Sequence, residues 1–161
     1  MGSEKAETTT GRCLCGDIRF EYQSVPIKSQ HCHCESCRRH TSSPISTFVI
    51  VDKGSFRFTR GTPVAFISSP GVSRTHCGRC GSPITYESES EPGLVSIYAC
   101  ALDDPTRVTP AFHAFTAEQM PWLEVADTLP RYEHGSLRGE TPVSYGPRRP
   151  ANSSKAGGNL P

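Results

Sequence analysis

The stretch Cys32-His33-Cys34-Glu35-Ser36-Cys37 places three thiols within six residues, a C-x-C-x-x-C spacing suited to metal ligation. Upstream lies Cys13-Leu14-Cys15-Gly16, and downstream Cys77-Gly78-Arg79-Cys80-Gly81. The outer four cysteines make a complete tetrahedral set, whereas the middle three are one ligand short. Zinc sites with four protein ligands are closed and structural; those with three keep a position for chemistry. The unequal division points to two zinc ions per chain. One is structural, on Cys13, Cys15, Cys77 and Cys80. The other, on Cys32, Cys34 and Cys37, is catalytic if its fourth position stays open.

Other readings of the outer set fit less well. A Cys13–Cys15 disulfide would be strained at that spacing. Redox chemistry at Cys77-x-x-Cys80 would call for a thioredoxin-like βαβ setting, and no such pattern is visible. The glycine after each pair lets the backbone turn tightly beneath the sulfurs. A metal there would close a loop of about sixty residues and pin the first strand to a later one.

The middle set leaves more open. Its fourth ligand can be His31, His33, His40, His76, Cys100, Glu35 or an exogenous group, and a second closed structural site is one of the alternatives. Three thiolates leave zinc with one net negative charge, so it polarises water less than a three-histidine site. It still suits an incoming thiol, which it would hold as the nucleophilic thiolate. An electrophilic carbonyl or imine carbon would then give carbon–sulfur chemistry. His31 and His40 flank the cluster and are the candidate general acid and base. Cys100 reads as a small buried apolar residue, Trp122 as core, and His113 as a satisfied core histidine. Arg38, Arg39, Arg74 and Arg79 can grip substrate carboxylates, although arginines beside cysteine knuckles more often face solvent or pair with thiolate charge.

With 161 residues the chain is expected to hold one domain plus tails. Seventeen basic against sixteen acidic residues argue against a chain built around nucleic acid. No run reaches membrane-spanning length, and the opening residues lack an apolar signal region. A reducing, cytoplasmic setting is therefore expected, where cysteine clusters bind metal or catalyse. Residues 1–10 read as a flexible N-terminus, 11–133 as the domain, and 134–161 as a disordered tail poor in apolar residues.

Strand signals dominate the domain. Ile18, Phe20 and Tyr22 alternate with polar residues. Phe48-Val49-Ile50-Val51 is a continuous apolar run that predicts a central strand. Asp52-Lys53-Gly54 reads as a turn before Phe56 and Phe58. Val64–Ile67, Pro83–Tyr86 and Leu94–Ala99 complete the strand set, and short helical turns are expected at Glu35–His40 and Thr116–Gln119. Asp103 and Asp104 read as turn or capping residues. The expected class is mainly β with zinc knuckles.

The order of these pieces resembles the glutathione-dependent formaldehyde-activating enzyme family, also called the centromere protein V (CENP-V) family. The matching residues are Gly11–Gly16, Cys32–Arg38 and Cys77–Gly81, supported by Ala101-Leu102-Asp103-Asp104-Pro105, Phe112-His113-Ala114-Phe115 and the segment Trp122–Pro130. The resemblance implies an Mss4-like fold of several curved antiparallel sheets, with a structural and a more labile zinc on the cysteine sets named above. It also implies glutathione as co-substrate and formaldehyde as substrate. The leading expectation is a zinc-dependent carbon–sulfur lyase-like enzyme for a small carbonyl, imine or thiol adduct. A zinc-stabilised binding module without catalysis is the alternative, with Arg148, Arg149 and Lys155 available to acidic partners. A homodimer paired through an apolar edge strand is also compatible with the sequence.

Overall fold

The computed structural model describes residues 7–135 and 142–145. Segments 1–6, 136–141 and 146–161 lie outside the described residues, and with them Arg148, Arg149, Lys155 and most of the segment expected to be a disordered tail.

The structure is mainly β, as expected, with two sheets. A three-stranded antiparallel sheet holds β1 (Thr9–Arg12), β2 (Arg19–Tyr22) and β5 (Phe56–Arg60) in the order β1-β2-β5. The larger sheet has nine strands: β3 (Lys28–Cys32), β4 (Ser46–Asp52), β6 (Val64–Ser69), β7 (Val72–His76), β8 (Pro83–Ser88), β9 (Leu94–Tyr98), β10 (His113–Ala114), β11 (Pro130–Arg131) and β12 (Ser144–Tyr145). Its order is β12-β11-β10-β3-β4-β9-β8-β7-β6. The larger sheet is antiparallel except at β10, which runs parallel to both β3 and β11. The one α-helix among the described residues is α1 (Glu35–Thr41), and Thr116–Glu118 forms a 3-10 turn.

β4 lies at the centre of the larger sheet, and both its faces are covered. This explains its unbroken apolar run, since a strand buried on one face would alternate. Val49 and Val51 pack with Ile97, Val95, Ile84, Phe20 and Tyr22 in the main core, which also contains Cys13 and Cys77. Phe48 and its cross-strand partner Tyr98 belong to a second, smaller core with Cys32 and Cys37. Successive side chains on a strand point to opposite faces. The two cysteine clusters therefore sit on opposite sides of the central sheet.

Two single-residue expectations are corrected. Cys100 is exposed, because it lies on a 3-10 turn (Ala99–Ala101) after β9 where the chain leaves the core. Trp122 is 71% exposed because it lies in a turn, closed by the Leu123 amide donating to the Met120 carbonyl at 3.1 Å and Gln119 Nε2 donating to the Leu123 carbonyl at 2.8 Å. Asp104 caps the 3-10 turn Pro105–Arg107, as expected, whereas Asp103 ties the turn to β1, accepting from Thr10 Oγ1 at 2.6 Å and lying 3.7 Å from Arg12.

Candidate metal centre

The four-cysteine cluster is built from two tight turns. Cys13 and Cys15 lie between β1 and β2; Cys77 and Cys80 lie between β7 and β8. Gly16 and Gly81 adopt φ of +79° and +76°, the left-handed conformation that favours glycine and returns the chain after each pair. The Gly16 and Gly81 amides donate to the carbonyls of Cys13 and Cys77 at 3.1 and 2.9 Å. All four Sγ atoms lie within 4.8 Å of one another, with Cys13–Cys15 at 3.5 Å and Cys15–Cys77 at 3.7 Å. A tetrahedron of zinc–sulfur bonds has edges of about 3.8 Å, so the set is sized for the ion. The Ile18 amide donates to Cys13 Sγ at 3.3 Å, and Arg79 pairs with Asp17 at 3.2 Å across the two turns. The Ser82 hydroxyl beside Cys80, helped by backbone amides, lowers that thiol to about 5. All eight cysteines are free thiols.

The three-cysteine cluster gathers on one helix end. Cys32 closes β3, Cys34 is the N-cap of α1, and Cys37 lies in its first turn. Cys34 Sγ accepts the Cys37 amide at 3.4 Å, the bond a capping side chain makes. The three Sγ atoms lie within 4.8 Å of one another, and among the described residues the group closes at three. Hydrogen bonds from Cys32 and Cys37 lower Cys34 to about 3, whereas Cys34, Cys37 and burial push Cys32 far up. Two buried thiols and one half-buried thiol share too few counter-charges to ionise together, so the donor set fits a soft cation such as zinc.

Among the described residues, none of the candidate fourth ligands joins the three sulfurs. Glu35 pairs with Arg39 at 2.7 Å. Cys100 opens onto a 640 Å³ groove lined by Thr41, Ser46 and Tyr98 among others, and none of the three clustered cysteines lines it. His33 is fully buried, with Nε2 2.8 Å from His113 Nδ1. His31 bonds Thr47 Oγ1 through Nδ1 at 2.9 Å, and alternation along β3 places it on the face opposite Cys32. His40 stays on the cluster side: it is three residues after Cys37 on α1, and its ring lies 5.8 Å from that of Tyr98, tilted by 31°. Burial first, then Arg74 and His76, lower its pKa and favour a neutral ring.

Of the four arginines, three are engaged at the surface or by the backbone. Arg39 and Arg79 hold the ion pairs just given, and Arg38 Nε donates to the His33 carbonyl at 3.1 Å. Arg74 is different, being only 3% exposed on β7. Its terminal nitrogens lie 3.6 and 3.8 Å from Cys37 Sγ, and one of them donates to Tyr98 Oη at 2.8 Å.

Sequence reasoning missed a latch behind the ligand loop. His113 is a buried, satisfied core histidine, as expected, but it links two segments. Its Nδ1 faces His33, between two ligand cysteines, and its Nε2 lies 2.9 Å from Asp127 Oδ2. The Leu129 amide and Arg131 hold the other carboxylate oxygen at 3.1 and 3.2 Å. Burial opposes the Asp127 charge, but the His113 bond, the Leu129 amide and Arg131 keep its pKa below the usual carboxylate value. His31, His113 and Asp127 also converge closely enough to hold a metal. The guanidinium already on Asp127 opposes a second cation there, so hydrogen bonding is the better account of the trio. Only the four-residue spacing of Asp127 and Arg131 hinted at this pairing. Asp127→Asn removes a charge-assisted bond and is expected to lower stability by about 1.5–3 kcal/mol, read as a reduced urea midpoint.

A mainly β domain with a four-cysteine cluster on one side of its central sheet and a three-cysteine cluster on the other defines a class of cysteine-clustered proteins. The chain belongs to the glutathione-dependent formaldehyde-activating enzyme family, whose model matches residues 8–118. That span contains all seven clustered cysteines and Arg74. A putative glutathione-dependent formaldehyde-activating enzyme from Halomonas elongata is 26% identical over 125 residues, covering 71% of this chain and 79% of that protein. An uncharacterized lyase from Schizosaccharomyces pombe is 32% identical over 90 residues, 55% of this chain and 65% of that protein. A crystal structure of a Rhodobacter sphaeroides protein shares the fold, with a TM-score of 0.52 at 20% identity over 63% of this chain and 91% of the other. Asp127 and Arg131 lie beyond the span that the family model matches.

Proposed function

We propose that the chain is a zinc-dependent enzyme of the carbon–sulfur lyase type, acting on a small carbonyl and a thiol, with formaldehyde and glutathione as the pair to test first. The observation that carries this reading is the incomplete sulfur set. Three thiols converge, no fourth described side chain joins them, and a buried arginine lies against one. Cys32, Cys34 and Cys37 would hold the ion, and Cys13, Cys15, Cys77 and Cys80 a structural one. A bound zinc would supply a position where a substrate thiol is held as its thiolate. In the addition, the thiol sulfur bonds the carbonyl carbon, the C=O π pair moves to oxygen, and the thiol proton ends on that oxygen. His40 would carry that proton, and is favoured over His31 because it lies on the sulfur side of the sheet. Free thiols throughout the chain fit the reducing cytoplasm. The exposed Val64, Phe66 and Ile67 on edge strand β6 give a second copy a surface to pair with, favouring a homodimer.

The test is exchange NMR of glutathione with labelled formaldehyde. Metal-loaded protein is expected to raise the interconversion rate above the uncatalysed rate. A rate equal to background would remove this substrate pair.

A further inference from the structure

Arg74 is a buried cation without a carboxylate. Among the described residues it forms no ion pair with Asp or Glu, although burying an unpaired charge is costly. Its guanidinium meets Ser68 Oγ at 3.1 Å, Tyr98 Oη at 2.8 Å, the face of Tyr86 at 4.8 Å, and the Cys37 sulfur. Its cross-strand partner on β8 is Tyr86, so the aromatic walls hold it in place. Of the groups it meets, the Cys37 sulfur is the one that a bound metal would hold as an anion.

That contact changes the charge of the whole centre. Zinc with three thiolates carries one net negative charge, which Arg74 cancels. A thiolate entering the fourth position then meets a neutral centre, whereas without Arg74 it would meet an anion and leave two negative charges in a poorly solvated site. A neutral entering ligand is much less affected. Resting on the open-site reading above, we infer that Arg74 sets the ligand specificity of the three-cysteine centre, making it accept an anionic sulfur ligand, a substrate thiolate, in its fourth position. The arginine touches a ligand sulfur and sets the charge that the substrate meets. Thiol binding in this form releases one proton to solvent.

The experiment uses the full chain loaded with cobalt(II), whose absorption reports sulfur ligation, titrated at fixed pH with 2-mercaptoethanol and separately with imidazole. In wild type both are expected to change the spectrum of the three-cysteine centre. In Arg74→Met the apparent Kd for the thiol should rise about tenfold or more, since a full charge a few ångströms away is lost, while that for imidazole moves less than about threefold. Arg74→Lys should recover most of the thiol affinity. Arg74→Gln, which keeps a donor for Tyr98, provides a second neutral variant if the methionine form does not fold. A purely structural arginine would weaken both ligands alike or neither, and either result overturns the inference while leaving the open site standing. A wild-type spectrum that responds to neither probe would remove the open site and the inference together.

Discussion

Cys80→Ser is expected to unfold the domain at room temperature. Cys80 itself is only partly buried, so serine fits sterically and the substitution tests the metal bond rather than packing. Its cluster partners Cys13 and Cys77 are each 1% exposed within the main core. Serine is a poor zinc ligand. Structural zinc contributes about 10–16 kcal/mol in small domains, against a net folding stability of about 5–15 kcal/mol, so losing the metal's share matches or exceeds the margin. Far-UV circular dichroism, amide dispersion and zinc content measured together would check it. Cys100→Ser is the control: the residue is exposed and outside both clusters, and the change should stay within about 0.5 kcal/mol. A Cys80→Ser protein with native spectra and an unchanged melting temperature would mean the four sulfurs do not hold the fold.

Cys34→Ser should do the reverse, removing activity while sparing the fold. Cys34 caps α1, and serine is among the best capping residues, so the bond to the Cys37 amide survives. The site belongs to the smaller core, and the latch through His33, His113 and Asp127 is untouched. Metal content should fall from about two ions per chain to about one, as expected when one of only three ligands is lost. Activity should drop at least about 100-fold, because even indirect partners of metal ligands cost 10–100-fold. The melting temperature should move by only a few degrees. Unfolding in place of this selective loss would make the second centre structural and favour the binding-module reading.

The contrast between the two variants follows from β4. Its neighbouring residues Phe48 and Val49 belong to different cores, and each core holds one sulfur cluster. A metal lost from the main core undoes the packing of both sheets there. A metal lost from the smaller core leaves the pairing of β4 with β3 and β9 intact.

What was legible in the sequence was local. The alternation through Phe20 and Tyr22, the apolar run Phe48–Val51 and the cysteine spacings each depend on residues a few positions apart, and each named its element correctly. β1, β3 and β7 escaped because they read as polar. β3 buries Ser29, whose hydroxyl donates to Thr109 O at 2.7 Å; β7 buries Arg74 and Thr75, the latter 2.6 Å from Thr85 Oγ1. The two-residue strands β10, β11 and β12 are too short to show any period.

The sequence by itself determined the three cysteine groups, the central strand and the mainly β class, because thiol spacing and side-chain alternation are properties of neighbouring residues. Only the tertiary structure decided that the two clusters lie on opposite faces of one sheet, that Arg74 meets Cys37, and that Asp127 reaches the ligand loop through His113. Those contacts join residues far apart in the chain, and the buried polar groups that make them look like surface residues until folding supplies their partners.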